Sequence, residues 1–203
     1  MRRLVMLLSY LLVVAGCGGS TVMLPPRLAL TPYQRVGLIS FTTENARGAL
    51  ASVATDRFRD GIFAAQSGLE VLELGNQDTL LAAVGRSRLD PDAVRAIGAR
   101  EKVTAMFAGN LVVSNVKPRA NLGPIPGLAA DVTVTLTVRF LAAESGGTIW
   151  SSSAEATETI AGFAIVGGTP VFGAEHPSEA YGHLIDVLVR QVSRDLHPTY
   201  ERR

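Results

Sequence analysis

Val132-Thr-Val-Thr-Leu-Thr-Val-Arg-Phe140 decides the fold. Apolar residues at 132, 134, 136, 138 and 140 alternate with Thr133, Thr135, Thr137 and Arg139. A period of two lays one face of a β-strand on a core and leaves the other to polar groups. Glu144-Ser-Gly-Gly147 supplies a turn, and Thr148–Thr159 returns as the hairpin partner. Upstream, Val103–Val116 reads as a longer strand, with Gly109 as a candidate bulge.

Toward the N-terminus the period changes. Arg35–Phe41 is a short apolar run between Pro32 and Thr42-Thr-Glu-Asn45, which suits a buried strand. From Leu50, Ala51, Ala54, Phe58 and Ile62 recur at spacings of three and four, an amphipathic helix that stops near Ser67-Gly68. Leu69–Leu74 alternates apolar and acidic residues as a second strand. Asn76 and Asp78 can cap a short helix through Leu80, Leu81 and Val84. Asp90-Pro-Asp92 joins an N-cap aspartate to a proline at the first helical position, opening a helix expected to stop at Gly98. Lys117–Ala130, rich in Pro and Gly, reads as a loop.

Beyond the hairpin, Ile160–Glu175 is apolar and carries Gly162, Gly167, Gly168 and Gly173; it is expected to be irregular or short extended structure. Ser178 is expected to cap a last helix with one stripe of Tyr181, Leu184, Ile185, Leu188, Val192 and Leu196, ending at His197-Pro198. The order β-α-β-α-α-β-β-β-α defines an α/β (α+β) fold, a mixed β-sheet flanked by helices in two or three layers. It forms a single domain over 34–197, with a tail at 198–203.

The first residues have a different character. Arg2 and Arg3 precede an uncharged run, Leu4–Ala15, too short for the roughly 20 apolar residues that span a bilayer. This is the pattern of a secretory signal. It ends Val14-Ala15-Gly16-Cys17, an aliphatic residue and two small ones before cysteine, which matches the bacterial lipobox. Small side chains let a peptidase approach the backbone, and a thiol gives the thioether to a diacylglycerol. Residues 1–16 are then a cleaved signal peptide, Cys17 carries lipid, and Gly18 after it fits an outer-membrane address. The alternative is an ordinary signal with a chance cysteine. Residues 17–33 read as a tether whose Val22, Met23, Leu24, Leu28 and Leu30 either dock in part on a neighbour or on the domain or belong to an unstructured spacer.

The 203 residues are 47% hydrophobic and 18% charged, enough for a core and too ordered a composition for a disordered chain. One cysteine excludes an intrachain disulfide and a thiolate zinc site. The net charge of +1 gives no electrostatic case for nucleic acid, and removing Arg2 and Arg3 with the signal turns it to −1.

Several stretches together resemble a known group. They are the lipobox, Val36-Gly-Leu-Ile-Ser-Phe-Thr-Thr-Glu-Asn45, the Ala-rich helix, Ala96-Ile-Gly-Ala99 and Leu141-Ala-Ala-Glu-Ser-Gly-Gly-Thr-Ile-Trp-Ser151. The pattern resembles the envelope lipoproteins related to the curli-secretion protein CsgG, a group that includes LpoB, PelC and the amino-terminal domain of TolB. Ser40 departs from it, standing where the group usually has proline. The resemblance implies a non-enzymatic, lipid-anchored scaffold or accessory of a cell-envelope assembly or export system, on the outer membrane and facing the periplasm. Envelope proteins, and further copies of the chain, would be its partners. Transmembrane hairpins of the curli pore need about 9–11 alternating residues per strand. Pro118, Pro124 and Pro126 argue against such strands in 117–130, and Ile160–Glu175 is too short for two crossings.

No catalytic constellation stands out. His176, His183 and His197 lack metal-protease spacing; Glu179 and His183 sit one helical turn apart with Asp186 nearby, as a metal pair or as a solvated face. Ser151, Ser152 and Ser153 have no nucleophile elbow, and the glycines at 162, 167 and 168 make no dinucleotide fingerprint. No cofactor is expected. Phe163, Ile165, Val166, Val171 and Phe172 form the candidate partner surface, or else a cap on the core. A small-ligand accessory, binding lipid or glycan, is the other function class; it requires an apolar pocket lined by Phe140, Trp150 and the glycine-rich segment.

Overall fold

Alternation along Val132–Phe140 becomes a sheet with two unlike faces. The computed structural model describes residues 21–120, 128–161, 163–172 and 177–202. Its strands are β1 (Thr21–Leu24), β2 (Arg35–Ser40), β3 (Thr42–Glu44), β4 (Arg47–Gly48), β5 (Glu70–Asn76), β6 (Ala105–Ala120), β7 (Leu128–Ala142), β8 (Thr148–Ala161), β9 (Phe163–Val166), β10 (Thr169–Phe172) and β11 (Thr199–Arg202). The α-helices are α1 (Leu50–Ala65), α2 (Gln77–Ala83), α3 (Pro91–Glu101) and α4 (Pro177–Val192). The main sheet runs β5-β2-β6-β7-β8, with β3 also beside β6. β2 is parallel to β5 and β6, whereas β6, β7 and β8 are antiparallel, so the sheet is mixed.

One face carries the larger core. Val132, Val134, Leu136, Val138 and Phe140 of β7 are fully buried there with Phe58 and Ile62 of α1 and Leu184, Leu188 and Val192 of α4. Burying such a side chain contributes about 1.5–3 kcal/mol, which is why this strand governs the fold. An aromatic chain crosses the core: Phe41–Phe58 at 5.4 Å, Phe58–Phe107 at 5.2 Å and Phe107–Phe140 at 4.4 Å between ring centroids. On the other face, α2 and α3 pack Leu80, Leu81, Val94 and Ile97 against Ile39, Met106 and Leu141. These helices leave the polar side of β7 and β8 as a ladder. Thr137 meets Ser153 at 3.0 Å, Thr133 meets Thr157 at 2.8 Å, and Thr135 donates to Glu155 at 3.2 Å.

The expected order is present as β2-α1-β5-α2-α3-β6-β7-β8-α4, and the differences have physical reasons. α3 does not stop at Gly98 but continues to Glu101, ending at Lys102 in the left-handed conformation (φ 56°). Gly98 is there for contact: a Cβ would stand 2.3 Å from Ala143 Cβ. Gly109 is no bulge either. It pairs in register with Val138, and a Cβ would strike the Phe41 ring at 2.5 Å. The irregularity lies between Ser114 and Lys117.

The expected loop 117–130 is shorter than read, because β6 reaches Ala120 and β7 begins at Leu128, with Pro118 opposite Ala130. Pairing of β6 with β3 ends at Val112, so among the described strands β6 has a free edge there and tolerates a residue lacking N–H. Proline therefore does not limit strand length at this position. Ser178 lies inside α4, which begins with Pro177, so it is not the cap. α4 itself ends at Val192, and a 3-10 turn, Arg194–Leu196, carries Leu196 into the core. Ile160–Glu175 is extended where described: β9 and β10 form a hairpin whose Gly167 and Gly168 both take positive φ (58° and 81°), the geometry of a two-residue turn.

Part of the segment read as a tether docks on the domain, one of the alternatives it left open. Leu28 and Leu30 are buried in the larger core. β1 pairs antiparallel with β11, Thr21 opposite Arg202 and Met23 opposite Tyr200, so residues from 21 on and the expected tail belong to the folded body. Gln66, just after α1, holds both ends. Its Oε1 accepts from Leu30 N–H at 2.7 Å, and its Nε2 donates to the carbonyls of Leu28 at 2.7 Å and Leu196 at 3.1 Å.

Candidate functional site

Cys17 and His176 lie outside the described residues. The hairpin proposed as a contact surface pairs in parallel with β4, Val171 with Arg47 and Phe172 with Gly48, in a three-stranded sheet separate from the main one. Val166, beside its turn, is 63% exposed. Val171 is half-buried. Phe163, Ile165 and Phe172 are placed by backbone register alone, Phe172 opposite Phe163.

The side chains considered for chemistry disperse to structural partners. His183 Nδ1 meets Glu158 of β8, whereas Asp186 pairs with Arg57 of α1 at 3.3 Å, so these two do not converge on one point; the Glu179 side chain lies outside the described ones. Among the described residues no group of three His, Cys, Asp or Glu side chains gathers in metal-binding range. His197 follows the 3-10 turn and is half-buried. Ser151 and Ser153 are exposed on the polar ladder.

Among the described residues, none of the described cavities is lined by Trp150 or Phe140. Phe140 is fully buried against Phe107, and the Trp150 indole N–H donates to Asp195 at 3.1 Å. They are core anchors, and Asp195 also faces Arg27 at 3.8 Å.

A concave site absent from the expectations lies on the other face of the sheet. A cleft of about 500 Å³ opens between the α2–α3 connection and strands β3, β6 and β7. Asn110 organises its floor: its Oδ1 accepts from Thr42 at 2.8 Å and its Nδ2 donates to Glu44 at 2.8 Å. Arg88 and Arg139 also line it, and neither makes an ion pair among the described residues. The cleft therefore offers two cationic forks against one carboxylate. The available signal was Arg139, the charged residue on the polar side of an otherwise Thr-rich strand; its neighbours come from separate segments and share no motif.

No protein-family model and no curated protein matches the chain. Solved structures are similar in fold. The PelC dodecamer from Paraburkholderia phytofirmans is 12% identical, with a TM-score of 0.47, over 88% of this chain and 98% of that one. The LpoB C-terminal domain from Escherichia coli is 16% identical, with a TM-score of 0.38, over 62% of this chain and 84% of that one. Lipoprotein GNA1162 from Neisseria meningitidis is 12% identical, with a TM-score of 0.37, over 62% and 83% respectively. Among the described residues no helix is long and apolar enough to cross a membrane.

Proposed function

We propose that this chain is a lipid-anchored outer-membrane protein whose domain faces the periplasm and serves, without catalysis, as a scaffold or accessory of an envelope assembly or export system. The observation that carries this reading is Val14-Ala15-Gly16-Cys17, placed three residues ahead of the folded strand β1. Each buried lipid CH₂ contributes about 0.8 kcal/mol, so two chains on Cys17 hold a domain of this size on a bilayer. The β9–β10 hairpin, with Phe163, Ile165, Val166, Val171 and Phe172, is the proposed contact for an envelope protein or a second copy of the chain.

Palmitate labelling with membrane fractionation tests the anchor. The wild type is expected to be labelled and membrane-bound, and Cys17→Ser to lose both; label and membrane binding retained in Cys17→Ser overturn the reading. In-cell crosslinking tests the hairpin. Replacing residues 163–172 with a short Gly-Ser turn is expected to abolish partner crosslinks while the circular dichroism stays unchanged. Undiminished crosslinks and an unchanged oligomer size would remove the hairpin's role.

The cleft supports a second reading, an accessory that binds a polar, anionic small molecule such as a carboxylated glycan, held by Arg88 and Arg139. Native mass spectrometry of the purified protein, compared with Arg88→Ala and Arg139→Ala, decides it: retained ligand in both variants would refute this role for the arginines.

A further inference from the structure

We infer that the outer face of the β1–β11 ribbon rests on the bilayer surface, so that the domain is docked on the membrane rather than held off it by a flexible tether. The inference rests on the lipid anchor proposed above. Three residues, Gly18, Gly19 and Ser20, separate Cys17 from β1. Four residue steps of extended chain reach at most about 14 Å. An acylated Cys17 therefore keeps Thr21 within that distance of the headgroups.

The ribbon is not free to swing away. Leu28 N–H donates to Asp195 O at 2.9 Å, and Gln66 bonds Leu28, Leu30 and Leu196. Leu28 and Leu30 are themselves core residues. The orientation of the ribbon is thus fixed to within the give of residues 25–27.

The chemistry of the ribbon's outer face suits an interface. Residues directly opposite in an antiparallel pair share a face, so Met23 and Tyr200 stand together, with Thr21 and Arg202 beside them. Met23 is 62% and Tyr200 66% exposed, among the most exposed large apolar side chains described. A tyrosine ring with a polar tip favours the headgroup level, and arginine can lay its stem on apolar surface while its charge stays in water. Val22, Leu24 and Glu201 lie on the opposite face, where Leu24 and Glu201 line a groove with Arg194 and His197. An isolated four-residue ribbon is marginal in water. A bilayer supplies the cover that its outer face lacks.

The test uses the lipidated protein in phosphatidylcholine–phosphatidylglycerol vesicles containing nitroxide-labelled lipid. With Cys17 bound in a thioether, Met23→Cys or Tyr200→Cys provides one free thiol for an environment-sensitive dye. Ser87→Cys, exposed on the far face of the sheet, is the reference. Labels at 23 and 200 are expected to be quenched at least about twofold more than the label at 87, with blue-shifted emission. Equal quenching at the three positions, with palmitate still incorporated, overturns the docked orientation and leaves the anchor reading standing. Absence of palmitate from the wild type overturns both.

Discussion

Gly98 gives the sharpest test of the packing. A methyl added there would lie 2.3 Å from Ala143 Cβ, 3.2 Å from Val103 O and 3.3 Å from Ala143 Cα. Non-bonded carbons settle near 3.5–4.0 Å, so α3 and the β7–β8 turn must part by about 1.5 Å. Neither side yields easily. Ala143 has no rotamer to change and its N–H is tied to Thr104 O at 2.9 Å, while Val103 N–H is tied to Gly98 O at 3.1 Å. Overpacking of this kind costs about 1–3 kcal/mol. Against it stands the gain of about 1 kcal/mol from alanine over glycine inside a helix. With two rigid neighbours the clash falls in the upper part of its range, leaving Gly98→Ala less stable by about 1–2 kcal/mol, or about 3–6 °C in Tm. Ala143→Gly removes the opposing methyl, so in that background Gly98→Ala is expected to be neutral or stabilising. Urea unfolding of the four combinations, followed by circular dichroism and by the fluorescence of Trp150, the sole tryptophan, measures the coupling. A Gly98→Ala protein as stable as the wild type would refute the contact. So would a cost unchanged by Ala143→Gly, which is what a glycine needed for its backbone conformation would give.

Gln66→Ala removes three hydrogen bonds at once and is expected to cost about 1–3 kcal/mol, with the Leu30 amide losing hydrogen-exchange protection before the rest of the core. Unchanged protection at Leu30 would contradict the role given to this side chain. Asp90 accepts from Ala93 N–H at 2.8 Å at the start of α3, so Asp90→Ala is expected to lose about 1 kcal/mol in the same unfolding assay, with a neutral result counting against the cap. Burial pushes the Tyr181 phenol above its ordinary value of 10.0. The neutral phenol is favoured in the folded state, so its contribution is whole below about pH 10 and is lost as pH rises through the folded value. Urea midpoints across this alkaline range are expected to fall less steeply in Tyr181→Phe than in the wild type; parallel curves would exclude Tyr181 as a source of the alkaline loss.

What the chain made legible was whatever repeats within a few residues. The alternation of Val132–Phe140, the three-and-four spacing from Leu50 to Ile62 and the stripe from Tyr181 to Leu196 each state which face is apolar, and each of those faces is buried. Glycines were ambiguous because one letter serves two purposes. Gly167 and Gly168 form a turn with positive φ, whereas Gly98 and Gly109 are needed for closeness to partners 45 and 68 residues away. Pairing between distant segments was illegible for a related reason. Four residues near each end of the chain carry no local period that announces their partner, so β1 and β11 read as tether and tail. Of the proposed functional surfaces, that of Cys17 rests on a contiguous motif and so was readable from sequence. The cleft was not: Thr42, Arg88, Asn110 and Arg139 meet only once β3, β6 and β7 are side by side.

The pairing of Thr21 with Arg202 also sets a timetable. A chain made from its N-terminus can build its central sheet as the strands arrive, but β1 waits for β11, and closing a loop of this length is slow. Until then β1 has no strand partner. Arrival of β11 draws β1 into the ribbon. A chain cut before β11 would leave β1 permanently unpaired.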